Sequence, residues 1–132
     1  MTDTRTTRMG FPRLVVRDLQ KEAAFYRGVF GYGEGIFIAD QLMGRKIEEI
    51  IFMTGDSKAE LVLLQFMEGA QPSSDGAMLG YFTSDLDAFG ARVLACGGSV
   101  AQEPVLIDMG SHKARMGVYA DPEGFLLEVI EG

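Results

Sequence analysis

The 132-residue sequence has no tryptophan, one cysteine (Cys96), one histidine (His112) and four prolines. A lone cysteine cannot close an internal disulfide, and Cys96 stands in an apolar stretch, so a reducing, cytoplasmic setting is expected. With a single histidine, any Ser-His-Asp arrangement would have to recruit His112. Basic residues are also scarce: 12 Lys and Arg stand against 19 Asp and Glu, a formal charge of −7. That balance excludes nucleic acid as a partner, because phosphates demand a basic face. No apolar run approaches the roughly 20 residues that span a bilayer, so no membrane role is expected. The polar opening, Met1 to Arg8, lacks the apolar core of a secretory signal.

What is present is enough for one ordinary domain. Hydrophobic residues make up 47% of the chain, and this length buries enough surface to fold without disulfide or metal staples. The acidity is uneven: residues 1–69 carry nine basic and ten acidic side chains, residues 70–132 three and nine. Two readings stay open for the acidic half, a solvated surface that resists association or attraction of a cationic partner.

The pattern along the chain repeats. Residues 1–8 read as a flexible polar tail. Phe11 to Val16 reads as a strand, Asp18 as an N-cap, and Leu19, Ala23, Tyr26 and Phe30 recur at helical spacing up to Gly31. Three extended segments follow: Gly35–Ala39, Lys46–Met53 and Glu60–Phe66, separated by Gly44 and by Gly55-Asp56. A polar, turn-forming stretch covers Glu68–Gly76. The order then restarts with Met78–Thr83 as a strand, Asp85 as a cap, and Leu86, Phe89, Val93 and Leu94 on a helical face ended by Gly97-Gly98. Ser99–Ile107, Lys113–Ala120 and Phe125–Ile130 complete the second half, the last two joined by the type I turn sequence Asp121-Pro122-Glu123-Gly124.

Asp18 and Asp85, like Gly31 and Gly98, lie 67 residues apart. Each half reads βαβββ, and one half alone would expose an apolar sheet face, so the two should pack together. The expectation is an α+β fold: two tandem βαβββ modules, 9–68 and 76–132, forming one curled eight-stranded arrangement around a concave cavity within a single domain, 9–132. A ferredoxin-like double split, with fewer strands, ranks second.

The stretches Val16-Arg17-Asp18-Leu19, Phe25-Tyr26-Arg27-Gly28-Val29-Phe30-Gly31-Tyr32, Asp85-Leu86-Asp87-Ala88, Gly97-Gly98 and Asp121-Pro122-Glu123-Gly124-Phe125-Leu126-Leu127-Glu128 resemble the vicinal oxygen chelate superfamily. That superfamily includes glyoxalase I, bleomycin-resistance proteins and extradiol dioxygenases. The resemblance implies paired βαβββ modules around a cavity, often in a homodimer. In the metalloenzymes it implies a divalent ion held by residues at the start of each module's first strand and on each module's last strand. Position by position, those fall on Phe11, on Met78 or Leu79, on Glu128, and on one of Val62, Leu64 and Gln65. Only Glu128 matches the family's glutamate, so no metal is assigned, and a divalent metal stays an alternative cofactor.

Strand alternation then assigns faces, with the family's glutamate pointing inward. Leu126, Glu128 and Ile130 line the cavity, with Phe11, Arg13 and Val15 on the first strand and Met78, Gly80 and Phe82 on the fifth. On the seventh strand the set Arg115, Gly117 and Tyr119 is expected inward, against Ala114, Met116, Val118 and Ala120. The candidate substrate-binding residues are thus Phe11, Arg13, Met78, Phe82, His112, Arg115 and Tyr119, and Glu128 is the candidate catalytic group, as a general base. An ion pair of Glu128 with Arg13 or Arg115 is the alternative role for those charges. The methionines Met9, Met43, Met53, Met67, Met78, Met109 and Met116 read as gap-filling more than as ligand contacts.

Such a pocket suits a hydrophobic or aromatic small molecule with one or two polar groups. The function expected is therefore a small-molecule-binding protein with a degenerate metal site. The alternative is a metal-dependent glyoxalase-like lyase, isomerase or dioxygenase with an unusual ligand set such as Glu128, Gln65 and His112. A third reading, an oligomeric interaction module, predicts no concave pocket.

Overall fold

The structure, a computed structural model, describes residues 10–56, 58–69, 77–108 and 110–132. The expected tail, Met9, Met109 and most of the turn-forming stretch (70–76) lie outside the described residues. The element order is β1 (Arg13–Val15), α1 (Leu19–Phe30), β2 (Ile36–Leu42), β3 (Arg45–Met53), β4 (Ala59–Phe66), β5 (Met78–Thr83), α2 (Leu86–Ala95), β6 (Ser99–Asp108), β7 (Lys113–Ala120) and β8 (Leu126–Glu131). The βαβββ unit is therefore present twice.

Local chemistry explains the boundaries. Asp18 and Asp85 are extended residues whose carboxylates accept from Lys21 N and Ala88 N, so each satisfies a free donor of its helix's first turn. Gly31 ends α1 in the left-handed region at φ 74° and donates its N–H to Arg27 O. Between β2 and β3 the two-residue turn Met43-Gly44 has φ of 52° and 74°. Two positive φ values in so tight a hairpin are the type I′ pattern, which matches strand twist. Met43 is 78% exposed, so its side chain is free to follow the turn.

The strands form two four-stranded sheets, ordered β1-β4-β3-β2 and β5-β8-β7-β6. In each, the module's first strand runs parallel to its last, and the remaining pairs are antiparallel. The two sheets share one core on their helix-bearing faces. Leu14, Ile50, Phe52, Leu61 and Leu63 from the first join Leu127, Val129 and Tyr119 from the second, with Leu19, Phe25, Tyr26, Leu86, Phe89 and Val93 from the helices. Phe30 stitches the halves, with its ring centroid 4.3 Å from Tyr81 and 5.5 Å from Phe89. The opposite faces of the sheets point away from both helices. Among the described residues no helix is long and apolar enough to cross a membrane.

Candidate functional site

β-pairing fixes which residues share the face of Glu128. Glu128 lies opposite Gly80 on β5 and Val118 on β7, and Met78 and Phe82 pair with Leu126 and Ile130. One face of the second sheet thus carries Met78, Gly80, Phe82, Leu126, Glu128 and Ile130. Met116 and Val118 of β7 belong to it as well. Met78 is 50% and Phe82 76% exposed, a large apolar presentation for a strand face. A Cβ placed on Gly80 would meet nothing within 4 Å, so there is open space directly beside Glu128.

Three expected binding residues stand elsewhere. Because Val118 pairs with Glu128, Arg115 and Tyr119 face the helices. Tyr119 is 2% exposed with its ring 5.2 Å from Phe89. Arg115 grips Asp87 of α2 through two hydrogen bonds, of 2.9 and 3.4 Å, and lies 3.8 Å from Glu131. That guanidinium holds the Asp87 carboxyl below its ordinary range. Arg115 therefore ties α2 to β8 and pairs with neither Glu128 nor the cavity face. His112 is exposed in the β6–β7 turn, with Nδ1 2.9 Å from Ser111 Oγ. It sits before the first residue of β7, about 20 Å along the strand from Val118 at the usual rise per residue.

Arg13 does lie on the first sheet's outward face, but its partner is Glu49, at 3.5 Å. Glu49 is 8% exposed, on the same face as Ile47 and opposite Leu64. The sequence held a signal for this residue. Adjacent Glu48 and Glu49 in a strand must point to opposite faces, so one of them shares the face of Ile47. Phe11 precedes β1, 40% exposed, with the Arg13 guanidinium 5.7 Å from its ring.

The duplication also settles the register that sequence left open. Gln65 Oε1 accepts from Leu19 N at 3.0 Å, and Glu131 Oε2 accepts from Leu86 N at 2.8 Å. In each module the end of the last strand thus carries a side chain that accepts from the first N–H of that module's own helix, where the helix dipole favours an acceptor. Gln65 and Glu131 are equivalent, which makes Val62 the counterpart of Glu128. Val62 is opposite Arg13 and 1% exposed.

The four positions that the sequence resemblance implies for an ion then correspond to Phe11, Val62, Met78 (or Leu79) and Glu128. Three are apolar and one is a carboxylate. A catalytic zinc-type site is built from three protein donors with solvent in the fourth position, and a single carboxylate among three apolar side chains does not fit one. Gln65 is engaged at the α1 terminus and His112 stands at the far end of β7, so neither converges on Glu128. Among the described residues no group of three or more His, Cys, Asp or Glu side chains is arranged to hold a metal.

Beside this face, an open cleft of about 350 Å³ runs between the edge of β5 and the entry to β1, lined by Pro12, Glu60, Met78, Leu79, Gly80 and Tyr81. Tyr32 donates its hydroxyl proton to Glu60 at the cleft wall, and burial pushes the Tyr81 phenol up to about 12. The phenols stay neutral at physiological pH and serve as hydrogen-bonding groups.

A sequence model of the Glyoxalase/Bleomycin resistance protein/Dioxygenase superfamily matches residues 8–129. A glyoxalase family protein from Bacillus cereus is similar in structure, with TM-score 0.73, 17% identity, and 99% of this chain and 97% of that chain covered. A glyoxylase/bleomycin resistance protein/dioxygenase domain from Frankia sp. EAN1pec gives TM-score 0.72 at 15% identity, covering 96% and 98%. A glyoxalase/bleomycin resistance protein from Albidiferax ferrireducens T118 gives 0.65 at 20% identity, covering 94% and 98%. No curated protein matches the sequence. At these identities the structural likenesses speak for the fold, and the match along nearly the whole sequence speaks for descent: the chain belongs to the Glyoxalase/Bleomycin resistance protein/Dioxygenase superfamily.

Proposed function

We propose that this chain is a small-molecule-binding protein that uses the superfamily scaffold without a resident metal. The observation that carries the reading is the set Phe11, Val62, Met78 and Glu128: the scaffold is intact, while three of its four ion-holding positions are apolar. The ligand is an apolar or aromatic molecule that lies over Met78, Phe82 and the open space at Gly80. It presents one hydrogen-bond donor or positive group to Glu128, which has no partner among the described residues. Binding rests on burial of apolar surface, and Glu128 sets orientation. A second copy of the chain covers the exposed sheet faces and encloses the ligand, and the protein works in the cytoplasm.

Nile red, a neutral apolar dye, tests this. Saturable uptake is expected, with the affinity lowered about ten-fold by Phe82→Ala, since a buried Phe contributes roughly 1.5–3 kcal/mol. Phe82 is exposed, so its truncation leaves the fold intact. Sedimentation of the same samples should give a dimer. Dye uptake indifferent to Phe82→Ala would overturn the site, and a monomer at tens of micromolar would overturn the covering copy. Turnover of methylglyoxal–glutathione hemithioacetal or of a catechol would replace the binding role with an enzymatic one.

A further inference from the structure

The seam between the modules is built from acids. Asp121, 3% exposed, opens the β7–β8 turn. Its Oδ2 accepts from the Tyr26 hydroxyl at 2.9 Å, and its Oδ1 accepts from Glu123 N and Phe125 N, each at 2.9 Å. The Glu123 carboxylate in the same turn accepts from Arg17 N and Asp18 N at 2.7–2.9 Å. The second module's last turn is thus bonded to the segment that starts the first module's helix.

Into this seam α1 also delivers Glu22, which is fully buried. Neither of its oxygens receives a hydrogen bond; Tyr26, one turn further along α1, is the residue bonded to Asp121, and Asp121 is the acid that acts most strongly on Glu22. A buried carboxylate without donors is strongly disfavoured, and two ionised carboxyls in contact are worse. The donor pattern decides which is ionised: Asp121 receives three hydrogen bonds, which favour its charged form, whereas Glu22 receives none.

We propose that Glu22 stands as the neutral acid and shares its proton with Asp121, and that this proton fastens the first module's helix to the second module's last turn. The clamp is proton-dependent: removing the proton sets two buried negative charges against each other and opens the seam. The charged and titratable groups facing Glu22 are Asp121 and Glu123 from the turn and Lys21 and Tyr26 from its own helix. Lys21 alone opposes the acids, and burial and the two acids together push the Glu22 carboxyl up to about 10. Tyr26 is pushed upward by burial and by Asp121, so it remains a donor throughout. With no metal-holding group among the described residues, the third carboxyl does not turn the seam into a cation site.

The sign follows from linkage. Glu22 titrates high in the folded chain and in the ordinary carboxylate range when unfolded. Its contribution is therefore complete below the unfolded value and is lost as pH rises towards the folded one. Equilibrium denaturation of the wild type and of Glu22→Gln between pH 6 and 9 reads this directly. Gln keeps the shape and can donate to Asp121, but carries no proton to lose. The wild-type unfolding constant should rise close to ten-fold per pH unit relative to that of the variant. Parallel profiles would overturn the proposal. Carboxyl ¹³C resonances of wild-type protein labelled at Glu and Asp side chains provide a readout that does not depend on the variant's folding. One glutamate resonance should retain the protonated shift at pH 7. Its absence, or a protonated aspartate in its place, would overturn the assignment.

Discussion

At the scale of single residues, the charged side chains of the chain are mostly consumed by structure. Arg13 is the clearest case. Its partner Glu49 is nearly buried, and one Glu49 oxygen has no hydrogen bond, so the guanidinium is what makes that carboxylate tolerable. Arg13→Ala leaves the charge stranded and should lower stability by about 1–2 kcal/mol, less than for a fully buried pair because the Arg13 side chain is 37% exposed. Adding Glu49→Gln to that variant should recover most of the loss in urea denaturation. A loss unaffected by the second change would show that Arg13 acts through packing alone. Glu128 is the contrasting residue, a half-buried carboxyl beside Gly80 and Val118 that has no partner among the described residues.

At the scale of elements, the boundaries were legible because caps and breakers act locally. Asp18, Asp85 and Gly31 read directly as helix limits, and Met78–Thr83 and Lys113–Ala120 were expected with the bounds observed. Facing was harder. Along β7 the alternating sets Arg115-Gly117-Tyr119 and Ala114-Met116-Val118-Ala120 both contain apolar bulk, so periodicity did not separate them. The β7–β8 turn does: Asp121 N donates to Phe125 O, which pairs Ala120 with Leu126 and hence Val118 with Glu128. An even-numbered residue must then face an even-numbered one, and Tyr119 falls to the core. Gln65 was equally hidden, since a side chain that reaches a helix start 46 positions earlier leaves no local mark. Gln65→Ala should cost about 1 kcal/mol, in the range of a lost N-terminal cap. Thermal denaturation checks this, and an unchanged midpoint would remove the capping role.

At the scale of the molecule, duplication explains both the fold and the register of the candidate site. Each module contributes its helix-bearing face to a common core; on the opposite faces, Met78 and Phe82 of the second sheet are exposed, whereas Val62, Leu64 and Phe66 of the first are buried. The acidic excess of the second half is distributed among such tasks: Asp85 caps α2, Asp87 and Glu131 hold Arg115, and Asp121 and Glu123 build the seam. What the sequence resemblance conveyed was the scaffold. What it could not convey was the pairing register, which makes Val62 the counterpart of Glu128 and so leaves one donor where several are needed. Calorimetric titration of the purified chain with Ni²⁺, Zn²⁺ and Mn²⁺ bears most directly on this. The account predicts no stoichiometric binding at micromolar concentration, and the same heats for Glu128→Ala. One equivalent of ion bound at micromolar affinity and lost in Glu128→Ala would contradict it.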